Sequence, residues 1–324
     1  MLRNIKRSFE SIEEFREYLD TVDTQCEFIN KCSLKDWSVD QSGTLLMNFA
    51  QKSFPVRETA LDSILSRYKV NGDAFRDERT SDETLAKIFN TLNYMCNDML
   101  KIMITDGAVN SVNTSVYSHI PMTEILDESA EVIGTFYKGD VRCNILHSYA
   151  NTYIKFYTDK YFTFNGKKRK LIITLSNSEN GQGSVRYGAF IGNGMLPIMD
   201  DICIVHKNDA NIQKVQTAVD SLEKVVTQAV SALCLLEVIE LSSPVTAVKD
   251  LGKQIGLPKM YINNVVANIE VATNLGRQQK FTAAEIYDLF GEAIMEGRES
   301  ELIQERYKNN LLKLISMDWS KYSK

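Results

Sequence analysis

Three absences bound what this chain can be. No two of its six cysteines stand in a C-x-x-C spacing, which excludes a zinc ribbon or finger. Cys26, Cys32, Cys96, Cys143, Cys203 and Cys234 are instead expected as buried free thiols in a reducing compartment. The longest apolar stretch, AVSALCLLEVIEL, is interrupted by Glu237 and Glu240 and is too short to span a bilayer. The start, MLRNIKRSFESIEEF, has no apolar run of signal-peptide length. A cytoplasmic protein with no membrane contact is expected. A basic excess is also missing, because 37 Lys and Arg face 42 Asp and Glu, for a net charge of −5. That excludes a protein that coats nucleic acid with a uniformly basic surface, so any such site must be a local patch.

Signatures of catalysis are equally scarce. No G-x-x-x-x-G-K-[ST] phosphate loop and no G-x-S-x-G elbow occur. His119, His147 and His206 stand in no metal-binding spacing, and Asp200-Asp201 reads as a solvated turn. No catalytic residue, metal ligand or cofactor is assigned.

What is present reads as an α+β fold. SIEEFREYLDTV places Ile12, Phe15, Leu19 and Val22 on one helical face. FPVRETALDSILSRY reads as a helix from Phe54, ended by Asn71 to Asp73. A further stripe runs Leu85, Ile88, Phe89, Leu92, Met95, Met99. Asp106-Gly107 and Asn165-Gly166 sit between strand-like runs and mark two hairpins, because both pairs accept positive φ. From Asn211 a stripe of Ile212, Val215, Val219, Leu222, Val226, Ala229, Leu233 and Leu236 reads first as a core helix. Its second reading is a seam for a partner helix, which would make an oligomer. Thr282 and Glu285 have capping-box spacing. The expected architecture is a central antiparallel sheet, from about Leu100 to Phe190, with packed helices and a helical C-terminal region. It divides into an N-terminal helical arm (1–40), an α+β core (41–210) and a helical region packed on the core (211–324).

LSNSENGQGSVRYGAFIGNG, Leu175 to Gly194, holds five of the chain's sixteen glycines. Gly181 and Gly183 begin a G-x-G pattern, but Arg186 stands where the third glycine belongs, so the dinucleotide fingerprint fails. Tight turns between strands account for the composition.

The segment just before it carries the functional signal. Between Arg142 and Arg186 eight basic side chains face only Asp159 and Glu179, a local +6 that leaves −11 for the rest. Tyr149, Tyr153, Phe156, Tyr157, Tyr161, Phe162 and Phe164 are interleaved with them. Cations that neutralise phosphates, beside rings that stack on bases, are what a single-strand binder needs. Lys160, Lys167, Lys168, Arg169, Lys170 and Arg186 are the candidate phosphate contacts, and Tyr157, Tyr161 and Phe164 the candidate stacking rings. The bland counterpart is a solvated hairpin tip that protects a sheet edge. A weaker candidate is the helical pair around Gly256 to Pro258, which would offer Lys259, Tyr261, Asn263 and Asn264 in a helix-turn-helix.

SRYKV from Ser66, ITDGAVNSVNTSVYSHIPMTEILD from Ile104, LSNSENGQGSVRYGAFIGNGM from Leu175 and IVHKNDANIQKVQTAV from Ile204 follow in that order. Together they resemble the phage/plasmid-like family of unknown function found on bacterial mobile elements. GAFIGNGM has neither the arginine nor the cysteine that precede Asn-Gly-Met in the family. The resemblance implies an α+β fold and a phage or plasmid setting in a bacterial host cell, and it supplies no catalytic residue. It also implies that Gly181, Gly183, Gly192 and Gly194 form the corners of a turn-strand-turn framework.

The leading expectation is therefore a non-enzymatic protein that binds single-stranded DNA in replication or recombination. The second is a protein-interaction module, such as a phage inhibitor of a host or defence protein. The third is an enzyme of unrecognised type.

Overall fold

Two turns with positive φ organise the middle of the chain. Asp106 and Gly107 take φ of 49° and 69°, and Asn165 and Gly166 take 53° and 64°, so both expected hairpins form. The computed structural model describes residues 1–30, 37–49, 51–70, 75, 80–92, 99–136, 141–181, 183–192, 196–208, 210–299 and 301–323. The expected helix end at Asn71 to Asp73, together with Cys32, Cys96, Met95 and Gly194, lies outside them.

The chain begins β1 (Lys6–Phe9), α1 (Ile12–Asp20), β2 (Thr24–Asn30), β3 (Ser38–Val39), β4 (Leu45–Phe49), β5 (Lys52–Pro55) and α2 (Glu58–Tyr68). It continues α3 (Asp82–Leu92), β6 (Met99–Thr105), β7 (Ala108–Thr114), α4 (Met122–Gly134), β8 (Cys143–Ser148), β9 (Asn151–Phe164) and β10 (Lys167–Ser178). Then come β11 (Ser184–Ile191), β12 (Leu196–Pro197), β13 (Ile202–Val205) and α5 (Ile212–Cys234), which runs into a 3-10 turn at Leu235–Val238. The end is β14 (Glu240–Leu241), α6 (Pro244–Gln254), α7 (Lys259–Asn274), β15 (Phe281–Thr282), α8 (Ala283–Met295) and α9 (Glu301–Ile315).

The fold is α+β. A seven-stranded antiparallel sheet has the order β1-β8-β9-β10-β11-β12, with β13 also on β11. The stretch expected as one sheet is divided, because β6 and β7 pair with β2 in a separate three-stranded sheet. Residues 1–40 hold more than a helix. β1 is an edge strand of the large sheet and β2 an edge of the small one. Phe54 lies in β5 and Met99 in β6, so neither extends a helix.

Two cores result. The larger joins one face of the seven-stranded sheet (Ile154, Phe156, Leu171, Ile173, Tyr187) to α1, α4 and the C-terminal helices. The smaller joins β4, α2, α3 and one face of β6 and β7 around Trp37 and Phe89. Ser11 caps α1 by accepting from the Glu14 amide at 3.0 Å, and Phe15 and Leu19 turn inward. The Thr282–Glu285 capping box forms as expected. In α5, Val215, Val219, Leu222, Val226 and Leu233 are buried in the larger core, so the stripe is a core face and not a partner seam. Leu222→Ala should cost about 2–5 kcal/mol, read as a lower urea midpoint at unchanged m. Among the described residues no helix is long and apolar enough to cross a membrane.

Candidate functional site

Side chains alternate between the faces of a strand, and that alternation sorts the nine candidate residues. Along β10, Lys167, Arg169, Leu171 and Ile173 point to the helical side, and Lys168, Lys170, Ile172 and Thr174 to the other. Register puts Phe164 beside Lys167, and Tyr161 beside Lys170.

The helical side removes four candidates. The Phe164 ring is 1% exposed and meets Tyr287 edge-on at 6.3 Å, so it belongs to the core and cannot stack on a base. Arg169 is buried against Asp288 of α8, whose Oδ2 also accepts from Lys167 Nζ and Asn165 Nδ2, each at 3.2 Å. Lys167 reaches Glu292 as well, at 3.4 Å. Lys160 pairs with Glu223 of α5 and lies 4.1 Å from the Phe136 ring centre. The tip of the basic hairpin is thus docked on acidic helices, which accounts for part of its positive excess.

The opposite face gathers the other five: Tyr157, Tyr161, Lys168, Lys170 and Arg186. Ile172 and Phe190, buried on this face, belong to neither core. Three rows cross the strands. Tyr157, Ile172 and Phe190 form one; Asn144, Lys155, Thr174 and Gly188 the next; Ser8, Leu146, Tyr153, Ser176, Arg186 and Cys203 the third. Lys170 and Tyr161 extend the face toward the hairpin, and Lys168 Nζ stands 4.6 Å from the Tyr161 ring centre. Leu146, Tyr161 and Cys203 are exposed, and the Arg186 side chain is 51% exposed. Lys155 was missed as a candidate contact, although period-two spacing from Tyr157 puts it on that same face.

Asp201 reaches into the face from beside β11. A Cβ at Gly188 would lie 2.8 Å from both Asp201 Oδ1 and Thr174 Oγ1, so glycine makes room for the carboxylate there. Burial raises the Asp201 pKa against the pull of Arg186, whose Nη1 is 3.8 Å away.

The remaining sequence features are structural. Gly181 and Gly192 take φ of 76° and 66° at the corners of β11, as a turn-strand-turn framework requires. Burial lowers the pKa of His119 and His147 to about 4, and that of His206 as well, so all three are neutral near pH 7. Among the described residues no group of three His, Cys, Asp or Glu could hold a metal ion. Of the described thiols only Cys143 is buried, and Cys203 is exposed. Of the four residues offered by the helical pair, Tyr261 is buried against Glu299, and Lys259, Asn263 and Asn264 face solvent.

Glu179 is a different case. Its carboxyl is buried, and that burial pushes its pKa up to about 7. An acid whose folded pKa is raised loses stability as pH climbs from its unfolded value to its folded one. Glu179→Gln should therefore abolish a loss of about 3 kcal/mol between pH 4.5 and 7. The buried histidines act in the opposite sense, losing stability as pH falls below 6.5. They are common to both proteins, so the difference between the two pH–stability curves isolates Glu179.

Compared with known proteins, the chain matches no protein-family profile, no curated protein and no solved structure.

Proposed function

We propose that this chain is a non-enzymatic accessory protein that binds single-stranded nucleic acid on the face of its large sheet opposite the larger core. The observation that supports this is the sorting of side chains across that face. Lys155, Lys168, Lys170 and Arg186 come from three adjacent strands, with Tyr157 and Tyr161 between them. Cations neutralise phosphates, and flat rings stack on bases of any sequence. Strands about 4.8 Å apart, with same-face side chains about 6.7 Å apart along each, hold these groups on a rigid grid. The resemblance to the phage/plasmid-like family supports a mobile-element setting, with a role in replication or recombination in a bacterial cytoplasm.

The test is fluorescence anisotropy of labelled single- and double-stranded oligonucleotides over a salt series. Single-strand binding that weakens steeply with salt is the expected result. No binding at low salt overturns the reading. It would turn attention to a host or phage protein partner, for which exposed Leu235 and Val238 after α5 are the contact candidates.

A further inference from the structure

The sheet face opposite the larger core carries a carboxylate among its cations. Asp201 immediately precedes β13, and Ile202 stands opposite Tyr187, so Asp201 falls beside Gly188 of β11. It thereby ends the row that runs Asn144, Lys155, Thr174, Gly188 across the strands. Arg186 lies one row away on β11. A carboxylate there repels the phosphates that the neighbouring cations attract.

The fold makes a place for this acid. Any side chain at position 188 would collide with Asp201 Oδ1 and Thr174 Oγ1, so Oδ1 is seated on the sheet over the bare glycine. The other oxygen, Oδ2, faces Arg186 Nη1 at 3.8 Å, a contact too long for a hydrogen bond. Arg186 therefore balances the charge and leaves the lone pairs of Oδ2 unspent on it. The two side chains are 30% and 51% exposed, so a ligand on the face can reach both.

The chemistry of the pair is selective. An ionised carboxylate only accepts hydrogen bonds, and a guanidinium only donates them. A phosphate satisfies Arg186 and is repelled by Asp201. A base with an exocyclic amino group next to a ring nitrogen satisfies both. In cytosine the 4-amino group donates and N3 accepts, and unstacked bases in a single strand offer that edge. In uracil and thymine the N–H lies between two carbonyl oxygens, which repel an approaching carboxylate.

We infer that Asp201 and Arg186 form a base-reading site on this face, which takes a base bearing an exocyclic amino group and keeps the phosphate chain away from that point. Asp201 accepts from the amino group, and Arg186 donates to the ring nitrogen beside it. The phosphates follow Lys155 on β9 and Lys168 and Lys170 on β10. Asp201 is thus a specificity-determining residue, and its preference among bases rests on the nucleic-acid reading of the face.

The experiment is fluorescence anisotropy with the full chain and three labelled oligonucleotides of equal length, made of deoxycytidine, deoxyuridine or N4,N4-dimethyldeoxycytidine. Cytosine and uracil share a ring size and differ only at the edge that Asp201 reads. The expected result is about tenfold tighter binding of the cytosine strand than the uracil strand, with the margin lost when methyl groups replace the amino hydrogens. In Asp201→Asn the amide both donates and accepts, so the cytosine-to-uracil ratio should fall to about one while uracil binding is kept or strengthened. Lys168→Ala removes a phosphate contact and should weaken both strands alike, leaving the ratio unchanged. Equal, measurable binding of cytosine and uracil strands by the parent overturns the inference and leaves the sheet-face reading intact. A cytosine preference that survives the methylation also overturns it and assigns the preference to stacking. No binding of any strand at low salt overturns the sheet-face reading and the base-reading site with it. The methylated strand tests the contact in the parent protein, so the outcome does not depend on how Asp201→Asn folds.

Discussion

Asp288→Ala should lower stability by about 3–5 kcal/mol, among the largest effects of any single substitution outside the apolar core. The carboxylate and the Arg169 guanidinium are only 4% and 6% exposed. Truncating the acid leaves a buried arginine without its counter-charge and takes the shared acceptor from Asn165 and Lys167. The loss of the partner, more than the loss of attraction, sets the size of the effect. The pair is imperfect as it stands, because Arg169 Nε and Asp288 Oδ1 have no hydrogen-bond partner among the described residues. The double replacement Arg169→Met with Asp288→Leu should therefore recover most of the loss. Urea unfolding of the two variants and the parent measures both. A cost under about 1 kcal/mol for Asp288→Ala would mean that the pair is solvated and the hairpin tip undocked.

Removing three cations from the sheet face, as Lys155→Ala, Lys170→Ala and Arg186→Ala together, should weaken single-strand binding about a hundredfold near 0.1 M salt. Each phosphate contact contributes about 0.7 to the logarithmic salt slope, so the slope should flatten by about 2. Tyr157→Ala should cost a further 1–3 kcal/mol or so as a stacking loss, with little change in slope. Lys167→Ala is the informative control. Its ammonium already faces Asp288 and Glu292, so its removal should leave the slope unchanged. A reversed pattern, with the tip sensitive and the face insensitive, would move the binding surface to the hairpin end.

Much of this sorting was legible. In KKRKLIITL the alternation places Lys167 and Arg169 with Leu171 and Ile173, and parity likewise separates Phe164 from Tyr157 and Tyr161. The register shift between Lys170 and Ile172 leaves both tyrosines on one face. The sequence does not say which face meets solvent, because Ile172 is apolar too and both faces of that strand read alike. Asp288 decides it from 119 positions away. The same limit hid β1. KRSF has no strong local pattern, and its partner Ile145 to Ser148 lies far along the chain. Local signals fared better. The Asp-Gly and Asn-Gly turns, the capping box and the α5 stripe each depend on neighbours within a few residues.

The placement of β1 has a consequence for synthesis. Lys6 pairs with Ser148, so the first strand leaves the ribosome about 140 residues before its partner. At about 5–20 residues per second that is a wait of some 7–30 s. The residues of the smaller core, Trp37 to Val112, are all present within that interval, whereas the larger core needs Leu311, Leu314 and Trp319. Vectorial folding thus has a set order. The smaller core closes first, with β1 and α1 held apart, and the larger core is finished only as the last helix arrives.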